Sequence, residues 1–293
     1  MYYKEFVNNF KKQKDGYLFV LPQMLLFIFF MVYPVFEGIS MSFHKVSLNN
    51  KVWIGLQNYG KLFNDEVFVK GVVNTLEFVI AVTFCTVVLG LFISAAIYDK
   101  GERYISFIRG CFYLPMIVSM VVLSIVWKWL LKPADGLINY LICELGYDRI
   151  NFLGNERYVI PVLIFIVIAP NLGQALILFI ASMIGISRDL FESAYIDGAS
   201  RAQNFWHIIL PLINPTILYV IVITMINVIR VFSVIQLMTS GGPNYASTTM
   251  MFQVYEKAFL FSDMGSASAI GTIMFGIVIV LSAIQFKVFQ RKI

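Results

Sequence analysis

Charged side chains are scarce in this 293-residue chain: Asp, Glu, Lys and Arg make up 13% of it, about half the share found in soluble domains. So few cannot cover an ordinary water-facing surface, which excludes a soluble globular fold. Histidine occurs twice and cysteine three times. His44 and His207 lie far apart in sequence, and Cys85, Cys111 and Cys143 show no CxxC spacing. Neither a metal site nor a disulfide framework is indicated, and the cysteines read as small apolar fillers. Motifs that carry chemistry are missing as well. There is no G-x-x-x-x-G-K-[ST] phosphate loop, no G-x-S-x-G elbow, no H-E-x-x-H helix and no inward pair of carboxylates. The chain is therefore not expected to bind ATP by a phosphate loop or to catalyse a reaction. Glu77 is the only acid well inside an apolar stretch, whereas ion-coupled secondary transporters usually need such acids. No internal repeat is detectable.

What the chain has is apolar sequence: 59% of its residues are hydrophobic, and its mean hydropathy is +0.79. These residues fall into six blocks of the length, about 20 residues, that a bilayer-spanning helix needs. The blocks are Tyr17 to Ile39, Gly71 to Ile97, Phe107 to Leu131, Tyr158 to Ile184, Ile213 to Met238 and Gly265 to Phe286. An all-α integral membrane protein of six transmembrane helices follows. The first block follows Lys11, Lys12 and Lys14 as a signal peptide would. It is too long, contains Pro22 and Pro34, and lacks a small-x-small cleavage site, so it reads as a span. Lys and Arg are in moderate excess on the side that would hold both ends and the loops around Lys100 and Arg201, which puts that side in the cytoplasm. The expected organisation is a cytoplasmic segment 1–16, a six-span domain 17–286 with a cytoplasmic loop at 185–212, and a cytoplasmic tail 287–293. The net charge of +5 suits an anionic inner leaflet and requires no nucleic acid.

Polar residues at mid-membrane depth mark a solute pathway or an interhelical bond. On the fourth block Pro170 disrupts the helical ladder beside Asn171, with Gln174 about one turn later. On the fifth, Asn227 and Arg230 are three apart and share a face, with Gln236 nearer the outer end. An Arg midway along a span must meet a carboxylate, phosphate, carbonyls or water. Glu77 is one candidate partner, and an acidic or phosphorylated substrate is another. Small residues on the sixth block, Ala267 with Gly271 and Ser268 with Thr272, suit close helix approach either within the chain or to a partner.

The most informative segment is polar and lies between spans. Ser187 is placed to cap a short helix whose apolar face is Leu190, Phe191, Ala194 and Tyr195. Gly198 permits a left-handed end to that helix, and Ser200 with Gln203 forms a capping box for a second one bearing Phe205, Ile208 and Ile209. Pro211 and Pro215 mark re-entry into the membrane. Such a stripe suits docking into a groove of another protein; an amphipathic helix lying on lipid fits the same periodicity.

Glu192, Ala194, Asp197, Gly198, Ala199, Ile208, Leu210 and Pro211 resemble the pattern E-A-A-x-x-D-G-A, then I-x-L-P, of the membrane subunits of binding-protein-dependent ABC importers, with Ser193 replacing an alanine. The stretch Leu237 to Pro243, with Thr248 and Tyr255 to Phe259, is similar to carbohydrate-uptake permeases of the maltose and glycerol-3-phosphate type. Asn58-Tyr59, Asn74-Thr75, Leu114-Pro115 and Trp127 to Trp129 extend that likeness along nearly the whole chain.

The resemblance implies an ABC importer permease fold with a cytoplasmic coupling helix. Glu192, Ala194, Asp197, Gly198, Leu210 and Pro211 would engage a cytoplasmic ATPase dimer, and ATP and Mg would bind that ATPase while this chain binds no cofactor. It also implies a second, similar permease, with the pore between the two, and an extracytoplasmic solute-binding protein docking near Gly241, Gly242 and Pro243. Carbohydrate would pass near Asn171, Gln174, Asn227 and Arg230 by alternating access. A neutral oligosaccharide leads as substrate, ahead of an acidic sugar or polyol phosphate, and a secondary transporter or channel is the alternative class. The expected location is a bacterial or archaeal cytoplasmic membrane, with both termini inside.

Overall fold

The computed structural model describes residues 14–47 and 50–290; the rest of the expected N-terminal segment and the last residues of the tail lie outside them. The chain begins with α1 (Lys14–Phe27), a π turn (Ile28–Val32) and α2 (Tyr33–Ser42), which form one continuous rod. A hairpin of β1 (His44–Ser47) and β2 (Asn50–Trp53) follows, antiparallel with His44 opposite Trp53; among the described residues it is the one departure from an all-helical fold. Next come α3 (Gln57–Phe63), α4 (Glu66–Ile97), α5 (Glu102–Ile117), α6 (Met120–Leu130), α7 (Leu137–Glu144) and α8 (Glu156–Ile184). The polar segment holds α9 (Arg188–Ile196), α10 (Arg201–Asn204), a π turn (Phe205–Ile209) and α11 (Leu210–Leu212). The chain then re-enters through α12 (Asn214–Ile229) and α13 (Ser233–Met238), and closes with α14 (Met250–Tyr255), a π turn (Glu256–Leu260) and α15 (Met264–Gln290).

Among the described residues, four helices are individually long and apolar enough to cross a bilayer: Gly16–Ser42, Glu66–Ile97, Glu156–Ile184 and Met264–Gln285. Two more crossings arise if bent pairs count as single spans, and they fall on the third and fifth blocks. The third block breaks between α5 and α6 with a bend of 93°. Pro115 inside α5 removes a ladder donor, Val118 turns extended, and Ser119 restarts the chain by accepting a hydrogen bond from the Val121 amide. The fifth block bends by 68° at its entry, between Arg201–Leu212 and Asn214–Ile229, with Pro215 in the first turn of α12. It breaks again at Arg230 to Phe232, before α13.

The hub is α8, which packs against α4, α5 and α12. Between membrane helices such packing rests on close contact rather than on expulsion of water. A Cβ on Gly173 would lie 2.4 Å from the Phe112 carbonyl oxygen, so α5 crosses α8 where only hydrogen fits. One large core, with Phe78, Leu163, Val234 and Met250, fills the half of the bundle nearest the 239–249 loop. A second core, with Phe179, Met183, Ile209, Ile213 and Val220, fastens the polar segment to α8 and α12. The first rod is different: its apolar stretch is 0% buried. It is held at its end, where Asn58 donates to the carbonyls of Ser42 (2.8 Å) and His44 (3.0 Å). The small residues of the sixth block face this rod: Ser268, Gly271 and Thr272 line a hollow with Pro34, Val35 and Ile39, on the side of α15 next to α2.

Candidate functional site

Local chemistry builds the 185–212 segment as two helices set at a fixed break. Ser187 caps α9, accepting from the Asp189 amide. At the far end Gly198 takes a φ of 77°. Its N–H donates to the Tyr195 carbonyl (3.0 Å), and the Ala199 N–H donates to the Ala194 carbonyl (2.9 Å), the paired bonds of a Schellman end. Ser200 and Gln203 then cap each other reciprocally: the Ser200 amide donates to Gln203 Oε1 (2.7 Å), and the Gln203 amide to Ser200 Oγ (3.3 Å). Both caps and the glycine turn match the expectation. Ser200→Ala should cost about 1 kcal/mol of local stability, read as a several-fold faster hydrogen exchange of the 202–204 amides; unchanged exchange would refute the cap's contribution.

The segment is fastened on one side and open on the other. Phe191 packs on Tyr98 (ring centroids 6.2 Å), and Arg201 pairs with Asp99 at 3.3 Å, tying α9 and α10 to the end of α4. Burial, then the neighbouring Asp99 carboxylate, push the Tyr98 hydroxyl above its ordinary value against the pull of Arg201. Facing outward are Glu192, Asp197 and Gly198, together with Tyr195 and Ile196, which are 82% and 83% exposed. Leu210 is half-buried and Pro211 exposed, where the segment joins the core through Ile209 and Ile213. An apolar groove of about 480 Å³ runs beside it, lined by Phe92, Ala95, Phe205 and Trp206.

Within the bundle, the polar residues sort into two kinds. Asn171 spends its amide inside its own helix, donating to the Val167 carbonyl (2.8 Å), while Gln174 is half-buried one turn on. On α12, by contrast, Tyr219, Asn227 and Arg230 fall on one side at helical spacing, with half-buried Ile223 completing the row, and all three are exposed. Arg230 stands at the C-terminal end of α12, where its charge complements the free carbonyls. The candidate pair with Glu77 is not formed: among the described residues Arg230 has no acidic partner, and Glu77 is exposed on α4. Gln236 is half-buried in α13.

At the opposite end of the bundle the 239–249 loop is pinned to α4. Buried Asn74 donates to the carbonyls of Ala246 (2.9 Å) and Thr248 (2.8 Å). Thr75 Oγ1 accepts from the Met250 amide (2.9 Å), and Lys70 donates to the Asn244 carbonyl (2.9 Å). Gly241 is buried at a φ of 80°, with the Phe252 ring 2.7 Å from where a Cβ would stand. Gly242 and Pro243 are half-buried. The part of this turn that reaches outward is Asn244 and Tyr245.

The model of the family described as "Binding-protein-dependent transport system inner membrane component" matches residues 86–293. The chain belongs to that family. It is a multi-pass inner-membrane transport component. Among curated relatives of this permease, the probable ABC transporter permease protein YurN of Bacillus subtilis (strain 168) is 34% identical over 94% of this chain and 95% of its own length. The sn-glycerol-3-phosphate transport system permease protein UgpA of Salmonella choleraesuis (strain SC-B67) is 30% identical over 97% of each. Among solved structures, a chain of a bacterial ABC transporter that imports the acidic polysaccharide alginate superposes with a TM-score of 0.87 and 25% identity, covering 98% of this permease and 99% of that chain. The importer permease fold is thereby established.

Residue-level reading of the permease missed the roles of Asn58, Asn74 and Thr75, which entered only as likeness to carbohydrate permeases. Their partners are remote, 172 and 174 residues away for Asn74. The signal available was an amide and a hydroxyl side by side in an apolar run, where each needs a partner.

Proposed function

We propose that this chain is one of two permeases in a carbohydrate importer, that its 185–212 segment receives force from a cytoplasmic ATPase dimer, and that both termini are cytoplasmic. The observation that carries the reading is the two-helix segment itself. It presents Glu192, Tyr195 and Ile196 outward, while Phe191, Ile209 and Ile213 root it in the core between α8 and α12. A push on the outer surface therefore moves two membrane helices. Glu192, Ala194, Asp197, Gly198, Leu210 and Pro211 form the coupling element; ATP and Mg bind the ATPase. An extracytoplasmic binding protein delivers the sugar over the turn held by Gly241, Gly242 and Pro243, with Asn244 and Tyr245 as its outermost groups. Asn227 and Arg230 line the pathway on the open stripe of α12, and Gln174 and the free carbonyl oxygen of Asn171 contribute from α8.

The test is to tag the chain, purify it gently from its own membrane and identify what accompanies it by mass spectrometry. An ABC ATPase and one similar permease should be recovered with the unsubstituted chain, and the ATPase lost when Glu192 and Gly198 are replaced. A homo-oligomer without any ATPase would replace this reading with a channel or secondary transporter.

The unpaired Arg230 favours a second reading of the cargo, an acidic sugar or polyol phosphate. A guanidinium contacting a substrate anion contributes about 1.5–3 kcal/mol, which is about 10- to 100-fold. For an anionic cargo, Arg230→Gln should lower uptake by that factor, with partial recovery in Arg230→Lys; for a neutral oligosaccharide, uptake should change by less than about threefold. Full retention of anionic uptake by Arg230→Gln would dismiss the acidic reading.

A further inference from the structure

The open stripe of α12 runs out at Arg230, and two residues later the ring of Phe232 lies against Tyr255 (centroids 4.9 Å, tilted 51°). Tyr255 in turn meets Phe259 (5.5 Å, tilted 35°), and Phe259 is 69% exposed. Rings from two separate segments therefore make one aromatic row, leading from the end of the stripe to an exposed ring on the π turn after α14. Tilted pairs leave part of each ring face uncovered. A charged group stands at each end of the row. Arg230 has no acidic partner among the described residues. Glu256, between Tyr255 and Phe259 in the same turn, is half-buried, and among the described residues its carboxyl forms neither an ion pair nor a side-chain hydrogen bond. Burial pushes that carboxyl above its ordinary value, an effect that the Lys257 charge offsets only in part. Lys257 itself is committed elsewhere, to Asp65 at 3.5 Å. A half-buried carboxyl without a donor is costly until something supplies one.

We propose that Phe232, Tyr255, Glu256 and Phe259 form an entry subsite for a pyranose ring of the cargo, which passes along the aromatic row to Arg230 and Asn227. The chemistry of the row fits a sugar on both of its sides. The C–H face of a pyranose lies on the electron-rich faces of aromatic rings, while its hydroxyls donate to a carboxylate and accept from a guanidinium. A lipid tail meets the rings but brings no donor for Glu256. Phe259 receives the ring first, being the most exposed of the three aromatics, and Glu256 selects for hydroxyls. The inference rests on the carbohydrate and pathway readings above and adds to them a subsite outside the α12 stripe.

The test uses the whole importer in membrane vesicles, with its own ATPase, second permease and binding protein. Radiolabelled trisaccharides of glucose, galactose, mannose, xylose and galacturonate are offered, and those imported become the probes. Phe259→Ala and Phe259→Leu should each lower the sugar imported per ATP hydrolysed about tenfold, and Phe259→Tyr should keep most of it. Glu256→Ala should lose as much as Phe259→Ala, with Glu256→Gln keeping part. Normal import by Phe259→Leu would mean that any apolar group serves there, as for a lipid anchor or a packing residue, and would overturn the proposal; so would normal import by Glu256→Ala. A photo-reactive phenylalanine analogue at position 259 should label the sugar during turnover, and labelling of lipid or of the second permease alone also overturns it. If the substituted chains fail to accumulate, the photo-probe still decides. Should the unsubstituted importer take up none of these sugars, the carbohydrate reading has failed and the subsite with it. Uptake that every variant leaves untouched removes the subsite alone.

Discussion

Gly198→Val is expected to reduce coupled uptake to background while leaving the normal amount of protein in the membrane. Gly198 has a φ of 77° and open space where a side chain would stand, so the effect is one of backbone conformation and not of collision. A left-handed conformation costs a non-glycine residue about 1–2 kcal/mol, and a β-branched residue is a genuine outlier there. Relieving that strain means continuing α9 past Asp197, which breaks the bonds from the Gly198 and Ala199 amides to Tyr195 and Ala194. The second helix, with Ser200, Phe205 and Trp206, then points elsewhere. The cores are untouched, because Gly198 is exposed and packs against nothing. A graded series separates this account from general damage. Asn tolerates the left-handed region best of the ordinary residues and should retain most uptake, Ala should lose about fivefold for about 1 kcal/mol, and Val should lose all of it. The readouts are uptake, ATPase stimulation by loaded binding protein, and membrane content by immunoblot. Wild-type uptake by the Val variant would sink the coupling role of this turn.

The outcome of that series bears on why this part of the chain could be read in advance. Ser187, Gly198, Ser200 and Gln203 act on backbone groups within five residues of themselves, and local chemistry of that kind leaves a local signature. The apolar blocks were legible for a similar reason, since length and composition decide what can cross a bilayer. Geometry inside the blocks was not. Pro115 announces a break, but not that Ser119 would restart the helix at 93° to α5. The break at Arg230 to Phe232 carries neither proline nor glycine. It coincides with tertiary packing, Phe232 lying 4.9 Å from Tyr255 ring to ring. Gly241 entered through the resemblance alone; its left-handed turn is there, Phe252 closes over it, and the residues of the loop that reach outward are Asn244 and Tyr245. Pairing between Asn74 and a loop 172 residues away is invisible to any reading of periodicity.

That long-range clamp sets up the other large expected effect. The 239–249 loop holds Ser240, Asn244 and Tyr245 at φ values of 49°, 44° and 57°, each at a cost of about 1–2 kcal/mol that the surroundings must offset. Asn74 does much of this: it is 7% exposed, and its single amide nitrogen donates to two loop carbonyls at 2.9 and 2.8 Å. Asn74→Ala deprives two buried carbonyls of their donor, at about 1–3 kcal/mol for each group left unsatisfied. We expect the loop to become cleavable by added protease, uptake to fall at least tenfold, and the ATPase still to co-purify, because the 185–212 segment lies at the other end of the bundle. Asn74→Asp is the sharper variant. It is nearly isosteric but places carboxylate oxygens against the Ala246 and Thr248 carbonyls, so acceptor faces acceptor, and it should be worse than alanine. Thr75→Val should be milder, since it removes one acceptor, that of the Met250 amide. If the Asp variant kept both loop protection and uptake, side-chain volume rather than donation would be what Asn74 supplies, and the clamp would be only packing.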